Sequence, residues 1–98
     1  MNYWIHPEAE TELSDAAAYY ATHASGLIAA AFLAEYERLL DLLVENQQRG
    51  PHGEGGLRIY HFDRFPYTAV YGEDQAKGPQ IFAIAHQSRA PGYWLARV

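Results

Sequence analysis

The chain of 98 residues contains no cysteine and carries a formal net charge of −5. Its length suits a single domain, residues 1–98, that buries most of its apolar surface without cross-links. The lack of cysteine excludes disulfides and thiolate metal sites, and the acidic balance argues against unspecific binding to nucleic-acid phosphates.

Apolar runs are short throughout the sequence. None approaches the roughly 20 residues that a membrane-spanning helix needs. Residues 1–7 lack the basic start and the long apolar stretch of a secretion signal. We therefore expect a soluble, cytoplasmic protein with no membrane partner.

Charge is divided unevenly along the chain. Residues 1–56 hold nine acidic and two basic side chains, whereas residues 57–98 hold three acidic and five basic ones. The basic excess of the second half allows a small anion-binding surface there. The alternative is that these are solvated charges without a ligand.

The N-terminal part predicts a short strand followed by a helix. Tyr3, Trp4 and Ile5 form an apolar run that predicts the strand. Pro7 suits the first position of a helix, which we expect to end near Ala24. One face of this helix is apolar and rich in alanine. It carries Ala9, Leu13, Ala16, Ala17 and Tyr20.

A second helix is predicted from about residue 27 to residue 45 or 46, and it forms a helical hairpin with the first. Apolar side chains repeat along it at helical spacing: Ile28, Phe32, Tyr36, Leu39, Leu40 and Leu43. The opposite face is expected to be solvated, because Glu37 and Asp41 repel each other across one turn. That face also carries Glu35, Arg38 and Glu45.

Three strands are predicted in the second half of the chain, after a glycine-rich loop at residues 46–56. Residues 57–63, 67–72 and 80–86 are rich in aromatic and β-branched side chains, which favour strands. Pro66 separates the first two strands because it cannot donate a ladder hydrogen bond. We expect an antiparallel meander with the helical hairpin covering one of its faces.

The last residues predict a turn and a return of the chain. Ala90, Pro91 and Gly92 are turn-forming residues. Tyr93 and Trp94 are then expected to fold back over the sheet, where large aromatic side chains gain most from burial.

Two of the five histidines are candidate metal ligands. His61 and His86 lie on neighbouring segments and could form a metal-binding pair, but no further ligands gather near them in the sequence. We therefore expect neither a metal nor a cofactor.

Several ordered motifs across nearly the whole chain resemble those of the ParE branch of the RelE/ParE superfamily. These proteins are toxins of bacterial type II toxin–antitoxin modules and are often labelled plasmid stabilisation proteins. Each motif alone is weak, but the ordered set is specific. The motifs are His6-Pro7-Glu8-Ala9, Ala18-Tyr19-Tyr20, Gly56-Leu57-Arg58, Arg64-Phe65-Pro66-Tyr67, Val70-Tyr71 and Ala83-Ile84-Ala85-His86-Gln87-Ser88-Arg89-Ala90-Pro91-Gly92-Tyr93-Trp94.

The resemblance implies an α+β fold of order β-α-α-β-β-β, in which the helical hairpin packs on a twisted antiparallel sheet. It also implies a cognate ParD-like antitoxin that neutralises the toxin. ParE-type members poison DNA gyrase, whereas RelE-type members cleave messenger RNA on the ribosome. The leading hypothesis is therefore a non-enzymatic inhibitor of DNA gyrase that does not bind nucleic acid directly.

The basic residues of this chain favour the ParE branch over the RelE branch. Ribonucleolytic members resemble one another in carrying an arginine where this chain has Thr68, and a threonine cannot supply the charge of a guanidinium. Lys77 is the only lysine. The alternatives that stay open are an endoribonuclease using His86, Arg89 and Tyr93, and a non-toxic relic that still binds the antitoxin.

Two sets of residues are predicted to form the functional surfaces. The target-binding set is Arg58, Arg64, Arg89, Tyr93, Trp94 and Arg97. The antitoxin-binding set lies on the helical hairpin and is Ala16, Ala17, Tyr20, Phe32 and Tyr36. For each set the alternative is structural: the arginines pair with acidic groups, and the aromatic residues pack the core. Charge reversal at Arg58 or Arg89 is expected to abolish toxicity and leave the fold intact.

Overall fold

The computed structural model describes residues 2–98. In chain order its main elements are β1 (Trp4–Ile5), α1 (Pro7–His23), α2 (Gly26–Glu45), β2 (Arg58–His61), β3 (Tyr67–Gly72) and β4 (Gln80–His86). Two 3₁₀ helices complete it, Glu54–Gly56 and Tyr93–Arg97. The predicted element order is confirmed, and β2 is shorter than predicted because the chain leaves the sheet after His61.

Both long helices begin at residues that cap them. The His6 side chain accepts a hydrogen bond from the backbone N–H of Glu8 at 3.1 Å, with Pro7 at the first helical position. The Ser25 hydroxyl accepts one from the N–H of Ile28 at 3.1 Å. The two helices therefore form the predicted hairpin with only Ala24 and Ser25 between them. Within residues 2–98, no helix is long and apolar enough to span a membrane.

The four strands form one sheet in the order β1-β4-β3-β2. The pairs β2–β3 and β3–β4 are antiparallel, as predicted for a meander. β1 runs parallel to β4, with Trp4 opposite Gln80 and Ile5 opposite Ile81, so the sheet is mixed and not wholly antiparallel. An antiparallel sheet was predicted, and the prediction failed at β1. Two helices and two strands separate β1 from β4, so no hairpin turn sets its direction.

The two faces of the sheet are covered differently. The helical hairpin packs on one face, where Phe32, Leu43, Tyr71, Ile81 and Ile84 are fully buried. On the other face a smaller cluster forms from Leu57, Val70, Phe82 and Ala83, against which Ile59 and Trp94 pack. The predicted return of Trp94 over the sheet is thus confirmed, on the face opposite the helices.

Glu35 and Ile28 depart from the predicted faces of α2. Glu35 is buried, because its carboxylate accepts hydrogen bonds from the backbone N–H groups of Asp63 and Arg64 in the turn between β2 and β3. Ile28, expected in the core, is exposed. It lies in the first turn of α2, at the end of the hairpin.

Candidate functional site

The C-terminal residues are anchored to α1 by one carboxylate. Glu12 accepts two hydrogen bonds from Arg97, from Nη1 to Oε1 at 2.9 Å and from Nη2 to Oε2 at 3.0 Å. It also accepts one from the Tyr93 hydroxyl at 2.6 Å and one from the backbone N–H of Ile84 at 3.0 Å. A single side chain thus joins α1, β4 and the C-terminal 3₁₀ helix.

This cluster also caps a free edge of the sheet. β1 ends at Ile5, opposite Ile81, so among residues 2–98 β4 has no strand partner on that side beyond Ile81. There the carbonyl oxygen of Phe82 accepts a hydrogen bond from Arg97 Nη1 at 2.9 Å, and Ile84 donates to Glu12. The side chains of Glu12 and Arg97 therefore satisfy backbone groups that a further strand would otherwise pair.

The electrostatics of the cluster fix its protonation states. Burial raises the pKa of Glu12, but hydrogen bonds from Arg97, Tyr93 and Ile84 outweigh it and hold that pKa below its ordinary value. Burial and the hydrogen bond to Glu12 raise the pKa of Tyr93. The hydrogen bond to Glu12 raises the pKa of Arg97. At neutral pH the carboxylate is therefore charged and the Tyr93 hydroxyl keeps its proton.

Arg89 lies on the outer side of this cluster. Its guanidinium carbon is 4.0 Å from the centroid of the Tyr93 ring, a cation–π arrangement. Within residues 2–98, Arg89 has no carboxylate oxygen within 4.0 Å of its guanidinium. Of the other lysine and arginine side chains described, Lys77 alone also lacks such a partner. Gly92, with φ at +90°, makes the turn that returns Tyr93 beneath the guanidinium. Arg89 therefore presents an exposed positive charge that no salt bridge pairs within the described part of the chain.

A cleft of about 350 Å³ adjoins Arg89 on the face of the sheet opposite the helices. Its lining is mainly apolar and includes Ile59, Ala85 and Trp94. His61 and Thr68 also line it and are joined by a hydrogen bond of 2.7 Å between Nδ1 and Oγ1. His86 and Arg89 stand at the border between this cleft and a smaller one beside α1.

The six predicted target-binding residues do not form one surface. Arg89, Tyr93, Trp94 and Arg97 are brought together, with the rings of Tyr93 and Trp94 edge to face at 5.1 Å. Only Arg89 offers a free charge among them, because the Arg97 side chain is 10% exposed and bound to Glu12.

Arg58 and Arg64 are held elsewhere by other partners. The Arg58 side chain is 13% exposed and donates to Glu73 at 3.1 Å and to the carbonyl oxygen of Gly50 at 2.7 Å. Arg64 is exposed but its Nε lies 3.3 Å from Glu35. Arg58 is thus largely buried and paired with an acidic group of the protein itself, whereas Arg64 keeps an accessible guanidinium.

The predicted antitoxin-binding residues mostly face the sheet. Ala16, Phe32 and Tyr36 are buried in the core, and Ala17 and Tyr20 pack against it while half-buried. Three of the five are therefore closed to a partner in this structure. The exposed apolar side chains of the hairpin are others: Tyr19, Leu27, Ile28 and Leu33.

Glu12 was absent from both predicted sets, although the sequence contains a signal for it. It lies three residues after Ala9 and four before Ala16, so it falls on the buried stripe of α1. A carboxylate on a buried stripe needs a partner within the protein. The partner could not be found from sequence, because Arg97 follows 85 positions later.

His61 and His86 do not belong to a metal centre in this structure. Residues 2–98 contain no group of three or more histidine, aspartate or glutamate side chains placed to hold an ion. The two imidazoles are engaged otherwise, His61 with Thr68 and His86 with the N–H and hydroxyl of Ser88.

Comparison with known proteins gives a consistent result for sequence and fold. The family model described as "ParE toxin of type II toxin-antitoxin system, parDE" matches residues 3–91. No curated protein sequence matches the chain. A solved structure titled "Chromosomal ParDE TA system from P. aeruginosa" is similar with a TM-score of 0.74 and 22% identity, over 88% of this chain and 95% of that one. The chain belongs to the ParE toxin family of type II toxin–antitoxin systems.

Proposed function

We propose that this protein is a toxin that inhibits DNA gyrase by binding to it, without cleaving RNA, and that a ParD-like antitoxin neutralises it. The family supports the toxin class. The observation that carries the choice of mechanism is the state of Tyr93, whose hydroxyl is bound to Glu12 at 2.6 Å.

RNA cleavage needs groups that activate the 2′-hydroxyl, stabilise the charge on the phosphorane and protonate the leaving group. Tyr93 is poorly suited to proton transfer, because its hydroxyl already donates to a carboxylate and its pKa is raised. Thr68 donates or accepts only within its pair with His61. His86 and Arg89 remain of the alternative set. His86 is bonded through Nδ1 to Ser88, and Arg89 is the one cation beside it among residues 2–98, so the cluster of lysines and arginines that would stabilise the phosphorane is missing.

The target-binding surface that we propose is centred on Arg89. An arginine that is stacked on a tyrosine ring, and that has no carboxylate oxygen within 4.0 Å among residues 2–98, suits recognition of an acidic side chain in a protein partner. Such anchors carry a large share of the binding energy in protein interfaces. Arg64 is the second accessible cation of the predicted set, whereas Arg58 and Arg97 act by holding the fold.

The antitoxin surface that we propose is the outer side of the helical hairpin. Leu27 is 82% exposed, and Tyr19, Ile28 and Leu33 expose further apolar area near the same end of the hairpin. An amphipathic segment of the antitoxin could cover these side chains. Because Asp15 and Glu37 are exposed on the same two helices, we infer that basic residues flank the apolar face of that segment.

The experiment that tests the proposal measures gyrase supercoiling and the formation of cleavage complexes with purified toxin. We expect inhibition by the wild type, loss of inhibition for Arg89→Glu, and unchanged inhibition for Lys77→Glu. Lys77 is the matched control because it is exposed and also lacks a carboxylate partner within residues 2–98.

Expression in a bacterial host with pulse labelling separates the alternatives. If gyrase is the target, DNA synthesis stops first. If protein synthesis stops first and messages show codon-positioned cuts, the chain is an endoribonuclease and the proposal is wrong. Normal growth without the antitoxin identifies a relic that only binds the antitoxin.

A further inference from the structure

We propose that Glu12 is the positioning residue of the target-binding surface: from α1, and through Tyr93, it holds Arg89 in the orientation that meets the target. This inference rests on the proposed function and concerns the same target-binding surface. Glu12 itself is covered by the C-terminal 3₁₀ helix and does not need to contact the target.

The C-terminal segment, residues 90–98, depends on Glu12 for nearly all its polar anchoring. Within residues 2–98, the hydrogen bonds that join this segment to the rest of the chain all end on Glu12, apart from the one between Arg97 and the carbonyl oxygen of Phe82. The half-buried Trp94 adds apolar contacts on the sheet.

The contact path from Glu12 to Arg89 is short. The Tyr93 hydroxyl is fixed by Glu12, so the far end of its ring cannot swing away from α1. The ring then forms the platform beneath Arg89 at 4.0 Å, with the Arg97 guanidinium carbon 5.1 Å from the same centroid. Moving Tyr93 would therefore move the surface on which Arg89 rests.

Charge balance makes this anchor hard to replace. Without the Glu12 carboxylate, the largely buried Arg97 guanidinium would keep the carbonyl oxygen of Phe82 as an acceptor. Its one counter-charge among residues 2–98 would be Glu8, whose oxygen lies 3.9 Å away on an exposed side chain. A buried cation without a close counter-charge is strongly disfavoured. The segment would leave the sheet edge in order to hydrate Arg97, and Tyr93 would move with it.

The test compares Glu12→Gln with Glu8→Gln as a matched control, one helical turn earlier on α1 and near the same guanidinium. Inhibition of gyrase by purified toxin is titrated for both variants, alone and combined with Arg89→Ala. We expect Glu12→Gln to weaken inhibition about tenfold or more and Glu8→Gln to leave it unchanged. On the Arg89→Ala background, Glu12→Gln should cause no further loss, because both changes remove the same contact.

Hydrogen exchange of the full chain gives a readout independent of gyrase. We expect the exchange of residues 90–98 to accelerate more than that of the strands in Glu12→Gln, while the affinity for the antitoxin stays as in the wild type. Should Glu12→Gln fail to fold, Tyr93→Phe removes only the hydrogen bond of the hydroxyl. It should weaken inhibition by a smaller factor, and again cause no further loss on the Arg89→Ala background.

The outcomes separate this inference from the proposed function. Unchanged exchange of residues 90–98, wild-type inhibition by Glu12→Gln, or additive losses with Arg89→Ala would each overturn the positioning role alone. If the wild type does not inhibit gyrase at all, the proposed function is wrong and the target-positioning role fails with it.

Discussion

Arg64 donates two hydrogen bonds to the Glu35 carboxylate, one from its backbone N–H at 3.2 Å and one from its side-chain Nε at 3.3 Å. The same carboxylate accepts the backbone N–H of Asp63. Glu35 lies on α2, and the two donors lie in the turn between β2 and β3. The Glu35 side chain therefore fixes the turn between β2 and β3 to α2, the helix that covers the sheet.

Replacing Glu35 by alanine should destabilise the protein by about 1–3 kcal/mol, because the N–H groups of Asp63 and Arg64 lose their acceptor. Chemical denaturation of the variant measures this free energy of unfolding. Glu37→Ala is the control, since Glu37 is exposed on the same helix and should change stability by less than about 0.5 kcal/mol. Equal stability of Glu35→Ala and the wild type would contradict the role given to this carboxylate.

Much of the fold could be predicted because its signals are local. The apolar repeat of Phe32, Tyr36 and Leu43 marks a helix face within a few turns, and Pro66 marks the break between two strands. The direction of β1 could not be predicted in this way. Its partner lies more than 70 positions later, and pairing over that distance depends on the packed core.

The functional side chains were harder to predict, because whether a charged side chain is paired or accessible depends on partners that lie far away in the sequence. Arg58, Arg64, Arg89 and Arg97 look alike as basic residues in the sequence. Among residues 2–98, however, Arg89 is the one of these four without a carboxylate partner. The buried face of α2 was predicted correctly at Phe32 and Tyr36. Both side chains lie in the core, which is why we propose the exposed face of the helical hairpin as the antitoxin site.

Arg58 is expected to act on stability and not only on toxicity, which revises the expectation from sequence. Arg58→Ala leaves the carbonyl oxygens of Gln48 and Gly50 without their donor and Glu73 without its partner. We expect a loss of about 1.5–3 kcal/mol, since these bonds involve a charged group with little exposure. Thermal unfolding measures it, with Lys77→Ala as an exposed control. A melting temperature equal to that of the wild type would restore Arg58 as a candidate for direct target contact.

Stability should fall in acid through Glu12. Its native pKa lies below the ordinary value of 4.5, so the native state favours the charged form. The stabilisation is therefore complete above the unfolded-state pKa and is lost as the pH falls through the native pKa. The groups that face the carboxylate are Arg97 and Tyr93, with Glu8 beside Arg97.

The measurement is the free energy of unfolding of the wild type and of Glu12→Gln across a pH series. The difference between the two should be constant above about pH 5 and shrink progressively below the ordinary carboxyl pKa. Subtraction removes the contributions that the two proteins share. A difference that does not change with pH would show that Glu12 titrates alike in both states.

The two faces of the helical hairpin should respond oppositely to substitution. Phe32 is fully buried against Phe62, Phe65 and Tyr67, so Phe32→Ala should cost about 3–5 kcal/mol of stability. Leu27→Gln should change stability by less than about 0.5 kcal/mol, because its side chain is already exposed to water.

Binding to the cognate antitoxin separates the two faces further. Leu27→Gln should weaken that affinity, since it removes apolar area from the proposed docking surface, and leave inhibition of gyrase unchanged. Calorimetric titration with purified antitoxin measures the first, and the supercoiling assay the second. Lys77→Gln is the matched control for binding: it lies in the loop before β4, which is bonded to Gln47 just after the C-terminal end of α2, whereas Leu27 lies at the other end of that helix. Wild-type antitoxin affinity in Leu27→Gln, and likewise in a variant that also carries Leu33→Gln, would remove the outer hairpin face as the antitoxin site.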